Sequence, residues 1–84
     1  MAYYLIMCKS LTYAQKTAKA LERAGVTAII MRPPRGLSKE GCTYSVKISE
    51  HKLSQALAVM NGAGLTYSRV FIVRPDGTSG EVHV

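Results

Sequence analysis

The 84-residue sequence predicts an α+β fold: a ferredoxin-like βαββαβ sandwich, a four-stranded antiparallel sheet with two helices on one face. Three observations predict it. Residues 3–33 and 43–75 read as two copies of one strand–helix–strand unit. Each copy closes its helical stretch on the same signal, Ala24-Gly25-Val26-Thr27 and Ala63-Gly64-Leu65-Thr66, and its second strand on Arg-Pro, at Arg32-Pro33 and Arg74-Pro75. Four short runs rich in Ile, Val, Tyr and Met bracket two segments with apolar residues at helical spacing.

The elements follow in order. Strands are expected over 3–8, 27–32, 43–48 and 67–73. The first helix runs from Thr12, as N-cap, to Ala24; Ala14, Ala18, Leu21 and Ala24 form its apolar stripe, and Lys16, Lys19, Glu22 and Arg23 take the wet face. The second helix follows Ser49 as N-cap, with Leu53, Ala56, Leu57 and Met60 as its stripe. Glycine at each helix C-terminus is ordinary capping chemistry. Residues 1–84 make a single domain; its end, 75–84, opens on the turn signal Pro75-Asp76-Gly77 and continues as a short strand or a flexible tail.

Composition bounds the partners. Eleven Lys and Arg against five Asp and Glu leave a formal charge of +6, which favours anionic partners. Two cysteines are too few for a secreted disulfide scaffold, no apolar run approaches a membrane span of about 20 residues, and Met1-Ala2-Tyr3-Tyr4 lacks a charged leader, so a soluble cytoplasmic protein is expected. A short chain with an apolar sheet face also suggests a homodimer through that open face, near Leu5, Met7, Ile29 and Met31.

The segment with the most chemistry runs from Arg32-Pro33-Pro34-Arg35 through Ser38-Lys39-Glu40 to Gly41-Cys42, a loop that ends on a thiol where a strand begins. Nearby cations or a helix N-terminus lower a thiol pKa and make it reactive. In the predicted topology strand one runs antiparallel beside strand three, so Cys8, closing the first, comes near Cys42, opening the third. The start of helix one and Lys9, Arg32, Arg35 and Lys39 belong to the same edge. Tyr44, Val46 and Ile48 share a face with Cys42 and should meet the helices, leaving Thr43, Ser45 and Lys47 opposite. A structural role is the commoner one for a cysteine such as Cys8, within Leu5-Ile6-Met7-Cys8.

Other chemistries find little support. Cys8, Cys42, His51 and His83 have no metal-ligand spacing, so neither metal nor cofactor is expected. The sheet lacks the aromatic platform of an RNA-recognition motif, which argues against specific nucleic-acid binding. No catalytic triad, carboxylate pair or phosphate loop is visible.

Tyr3-Tyr4-Leu5-Ile6, Ala20-Leu21, Ala24-Gly25-Val26 and, above all, Pro34-Arg35-x-Leu37-Ser38 leading to Cys42 resemble a family of small bacterial selenium/sulfur carrier-like proteins. The resemblance covers roughly residues 3–73. It implies a ferredoxin-like fold and one functional cysteine, which maps to Cys42 and would hold sulfur or selenium as a persulfide or selenopersulfide. It also implies partner proteins that donate and accept sulfur or selenium, and an accessory carrier rather than a stand-alone enzyme. Relatives have a serine-rich approach and a Cys-Gly pair; here Lys39-Glu40-Gly41 precedes the cysteine and Thr43 follows it. Arg35, Ser38, Lys39 and Gly41 on the loop, with Lys9 and Arg32, are the expected binding or activating residues, and Cys8 a candidate resolving thiol. The competing reading is a non-catalytic module that recognises an anionic ligand or partner protein, with Cys42 merely packed.

Overall fold

A computed structural model describes residues 2–33, 44–67 and 69–83. Five strands and two helices follow in the order β1 (Tyr3–Cys8), α1 (Leu11–Arg23), β2 (Ile29–Met31), β3 (Tyr44–Ser49), α2 (Leu53–Gly62), β4 (Val70–Val73) and β5 (Ser79–Val82). The sheet is antiparallel at every pairing, with strand order β2-β3-β1-β4-β5. The expectation of four strands is therefore corrected to five. The added strand is the end of the chain. Asp76 Oδ1 accepts from the Thr78 amide at 2.9 Å and from the Thr78 hydroxyl at 2.7 Å, tightening the turn. Ser79–Val82 then returns along Val73–Val70. Val82 packs against the core from its place opposite Val70, so β5 gains apolar contact as well as ladder hydrogen bonds.

The sheet's alternation sorts its side chains into two clusters. Ile6 and Cys8 of β1, Val46 and Ile48 of β3 and Val70 of β4 pack with Ala14 and Leu21 of α1 and Ala56 and Met60 of α2. Both helices therefore lie on one face. Leu5 and Met7 pack with Phe71 on the other, joined by Tyr3, Met31 and Val73. That second face was expected to be open and to seat another subunit. Instead Leu5 and Met7 are 0% and 1% exposed in the single chain, so neither offers surface to a partner; Ile29, on edge strand β2, is the residue of the four that is well exposed, at 52%. Ser45, also expected on an open face, is fully buried and donates from Oγ to the Met31 carbonyl at 2.9 Å.

Helix boundaries shift from the sequence-based ones for local reasons. Ser10, rather than Thr12, caps α1: its backbone is extended and its Oγ accepts from the Tyr13 amide at 3.1 Å. Ser49 is the last residue of β3 and not the cap of α2. Its carbonyl accepts from the Lys52 amide at 3.1 Å to form the turn into the helix, which begins at Leu53 without a side-chain cap. His51 lies in that turn and is exposed. Ala14, Ala18 and Leu21 are buried as expected, but Ala24 is exposed and Thr17 takes a buried place on the stripe.

The repeated Ala-Gly-Val/Leu-Thr signal has a shared geometric cause. Gly25 and Gly64 have φ of +83° and +70°, values that L side chains rarely adopt. Beyond them the Val26 amide reaches the Leu21 carbonyl and the Leu65 amide reaches the Met60 carbonyl, both at 2.9 Å. These are Schellman closures that turn each chain from helix back toward the sheet.

Candidate functional site

The end of β1 and the beginning of β3 meet at one end of the sheet. Cys8 stands directly opposite Tyr44, and Met31, the last residue of β2, stands opposite Ser45 on the other side of β3. Three segments converge there: Cys8-Lys9-Ser10 leading into α1, Met31-Arg32 leaving β2, and Tyr44 opening β3. The juxtaposition expected from topology is thus present for every part the structure describes. Arg35, Ser38, Lys39, Gly41 and Cys42 lie outside the described residues.

Each described member is held by identifiable contacts. Cys8 is 1% exposed and lies on the helix side of the sheet, in the same cluster as Ala14 from the first turns of α1. Its Sγ is 3.7 Å from the Ile6 carbonyl. Its neighbour Lys9 is exposed. Arg32 is exposed too, and its guanidinium lies 5.4 Å from the centroid of the Tyr44 ring. Such a cation–π contact at an exposed position contributes about 0.5–1 kcal/mol. The Ser45 hydroxyl on the Met31 carbonyl anchors the strand just before Arg32, so the cation leaves the sheet from a fixed point. The first turn of α1 adds backbone N–H groups and the positive end of the helix dipole to the same region.

Tyr13 supplies a support that sequence reasoning missed. Its hydroxyl accepts from the Thr66 amide and lies 3.0 Å from the Thr66 hydroxyl, tying the start of α1 to the segment between α2 and β4. These two hydrogen bonds, the side-chain one first, hold the Tyr13 phenol below the usual tyrosine range; the nearby Cys8 works in the opposite direction, more weakly. The two residues are 53 positions apart, so no local pattern announces the pair. Tyr44 was also missed as a site residue. The antiparallel register was the usable signal, because it sets Tyr44 between Cys8 and the β2 exit that carries Arg32.

The described part of this sheet end carries a lysine, an arginine and helix-end N–H groups, the kinds of donor that favour an anion. Among the described residues no three His, Cys, Asp or Glu side chains gather as a metal site would require, and no helix is long and apolar enough to cross a membrane.

The described residues form a two-layer α+β domain, one end of whose sheet carries Lys9 and Arg32 beside the ends of β1 and β2. The model of the family described as putative Se/S carrier protein-like matches residues 3–72, and the chain belongs to that family. The match spans both helices and β1 through most of β4; β5 lies beyond it. Neither the curated proteins nor the solved structures yield a match.

Proposed function

We propose that the protein is a sulfur or selenium relay that carries its cargo on Cys42. The observation that carries this reading is the convergence at Tyr44 of a β2 exit bearing Arg32, the Cys8-Lys9 end of β1 and the start of α1, in a chain of the selenium/sulfur carrier family. Two peptide links separate Cys42 from Tyr44 in the sequence, a reach of at most ~7 Å. Cations such as Arg32 and a helix N-terminus, gathered at the end of the strand that Cys42 precedes, favour the anionic form of a thiol and of the persulfide made from it. Arg35 and Lys39 on the preceding loop add charge of the same sign, Ser38 adds a donor, and Gly41 leaves the backbone before the sulfur unencumbered. We also read strands β2-β3-β1-β4 with their two helices as a ferredoxin-like frame to which β5 is an addition.

The chemistry is transfer without net oxidation. The Cys42 thiolate attacks the terminal sulfur of a donor persulfide, the donor's S–S bond breaks, and the donor cysteine leaves as thiolate. Cys42 then holds the S–SH group. An acceptor nucleophile takes the terminal sulfur and returns Cys42 to thiolate. Selenium follows the same path as a selenopersulfide. If Cys8 resolves the persulfide, its thiolate attacks the Cys42 sulfur, forms a Cys8–Cys42 disulfide and releases hydrosulfide.

Incubation with a cysteine desulfurase and L-cysteine, followed by intact mass, tests the reading. The wild-type chain is expected to gain one sulfur atom, Cys42→Ser to gain none, and Cys8→Ser to load but form no disulfide. A Cys42 that alkylates with the pH profile of an ordinary thiol, near pKa about 8.5, and takes no sulfur refutes the relay and leaves a binding module.

A further inference from the structure

On a helix, residues recur every 3.6 positions. The buried stripe of α1 consists of Ala14, Thr17, Ala18 and Leu21. At 100° per residue, the side diametrically opposite holds Thr12, Lys16, Lys19 and Arg23, all exposed. Lys16, Lys19 and Arg23 thus form a single row of cations about 10 Å long on the most outward line of the helix. Glu22 lies about a quarter-turn to one side. Among the described residues none of the three cations forms an ion pair.

Arg23, in the last turn, suits the negative end of the helix dipole, but Lys16 and Lys19 have no such complement. Like charges three and four apart destabilise a helix by about 0.2–0.5 kcal/mol per pair, and the first turn of α1 holds no acid to complement the dipole. The adjacent helix shows that the layer needs no such charge to stay wet. The exposed face of α2 carries Ser54, Gln55, Ala58 and Asn61, and the helix has no ionisable side chain at all. Cationic charge is therefore concentrated on one of two equivalent faces. Lys16 is the end of the row nearer to Ser10 and Lys9, where Arg32 and Tyr44 converge, and lies about 9 Å from Ser10 along the helix axis.

We propose that this outward face of α1 docks an acidic surface of the protein that exchanges sulfur with the chain. The inference rests on the relay reading and supplies its partner's chemistry. A protein is favoured over a nucleic acid for two reasons. Three cations with no aromatic among them touch too few phosphates for useful affinity at physiological salt. The sheet face on which a fold of this type stacks bases has its centre closed, with Leu5, Met7 and Ser45 buried. A partner seated on Lys16, Lys19 and Arg23 covers the stretch of α1 about 9 to 20 Å along the axis from Ser10, on the helix that begins beside the candidate site.

The test compares two sulfur sources on the intact chain: a cysteine desulfurase and glutathione persulfide. The wild type, K16E/K19E/R23E, K16Q/K19Q/R23Q and, as a control of equal exposure, S54E/A58E are loaded at low and high salt, with circular dichroism to verify folding. Charge reversal is expected to slow loading by the desulfurase at least about tenfold at low salt, with the neutral variant intermediate and the difference collapsing as salt screens the charges. Loading by glutathione persulfide should stay unchanged in every variant, and S54E/A58E should resemble wild type with both sources. Loading by the desulfurase that is equal in wild type and reversed variant, or absent in a wild type that glutathione persulfide loads, overturns the docking proposal alone. Failure of both sources to load the wild type overturns the relay reading and the docking proposal with it. Retention of a mixed-sequence oligonucleotide by wild type but not by the reversed variant, with desulfurase rates equal, assigns the face to nucleic acid and also overturns the proposal.

Discussion

Thr17 places a hydroxyl where α1 should be apolar, and replacing it by valine should stabilise the protein. Its side chain is 0% exposed, on the line of Ala14, Ala18 and Leu21, and Oγ1 finds no hydrogen-bond partner among the described residues. Leaving such a group unsatisfied costs about 1–3 kcal/mol. Valine keeps the branched shape and has nearly the helix propensity of threonine, so most of that cost should return as stability. Taking the lower part of the range, Thr17→Val should gain about 1–2 kcal/mol. For a domain of this size each kcal/mol moves Tm by about 4–8 °C. Thr17→Ser is the counter-variant: it keeps the unpartnered hydroxyl and loses a buried methyl, a loss of about 1 kcal/mol from transfer plus the void left behind. Thermal and urea unfolding of the three proteins should rank valine above threonine above serine, with the urea slopes equal. A valine variant at or below the wild-type Tm refutes the reasoning, because it would mean that the hydroxyl contributes a favourable contact or that the site cannot accept a second methyl.

Two pH-linked predictions follow from the hydrogen bonds of Thr66 and Thr78. Tyr13 ionises more readily folded than unfolded because Thr66 donates to its oxygen, so its contribution to stability rises as pH climbs through the folded pKa, is complete above the unfolded value of about 10, and is lost as pH falls. The stability gap between wild type and Tyr13→Phe should therefore widen in the alkaline range, and a gap independent of pH there would contradict the assignment. Asp76 is held below the usual carboxylate range by the Thr78 amide first and the Thr78 hydroxyl second; its contribution is present above about pH 4 and disappears as pH falls through the folded pKa. Asp76→Ala should speed hydrogen exchange of the β5 amides at neutral pH, with the difference from wild type vanishing in acid. Equal exchange at neutral pH would show that the turn closes without the carboxylate.

Much of the frame was legible because it is written in short-range patterns. Period-two alternation in Tyr44–Ser49 assigns Val46 and Ile48 to the helix side, where they pack with Leu21 and Met60. Helical spacing finds Leu21, Ala56 and Met60, and the glycine signals find both helix ends. The meeting of the end of β1 with the start of β3 was legible one step further on, since antiparallel topology converts element order into the Cys8–Tyr44 pairing. Where two signals of equal strength compete, local reading chose wrongly. Ser10 and Thr12 are both good caps, and only the bond from the Tyr13 amide selects Ser10. The fate of 75–84 was undecided because a four-residue polar-apolar strand has too little intrinsic preference to hold itself; the open edge of β4 decides it.

The sequence by itself determined the two strand–helix–strand units, the charge of +6, the wet cationic face of α1 and membership of the selenium/sulfur carrier family, since each depends on residue type at fixed spacing along the chain. Only the tertiary structure decided which contacts join distant residues. It added β5 as a fifth strand, closed the face of Leu5 and Met7, buried Ser45 against Met31, laid Arg32 over Tyr44 and locked Tyr13 to Thr66. The physical reason is one of range. Propensity and periodicity act over a few residues, whereas burial and hydrogen-bond partnership depend on neighbours that only the packed sheet and helices bring within reach.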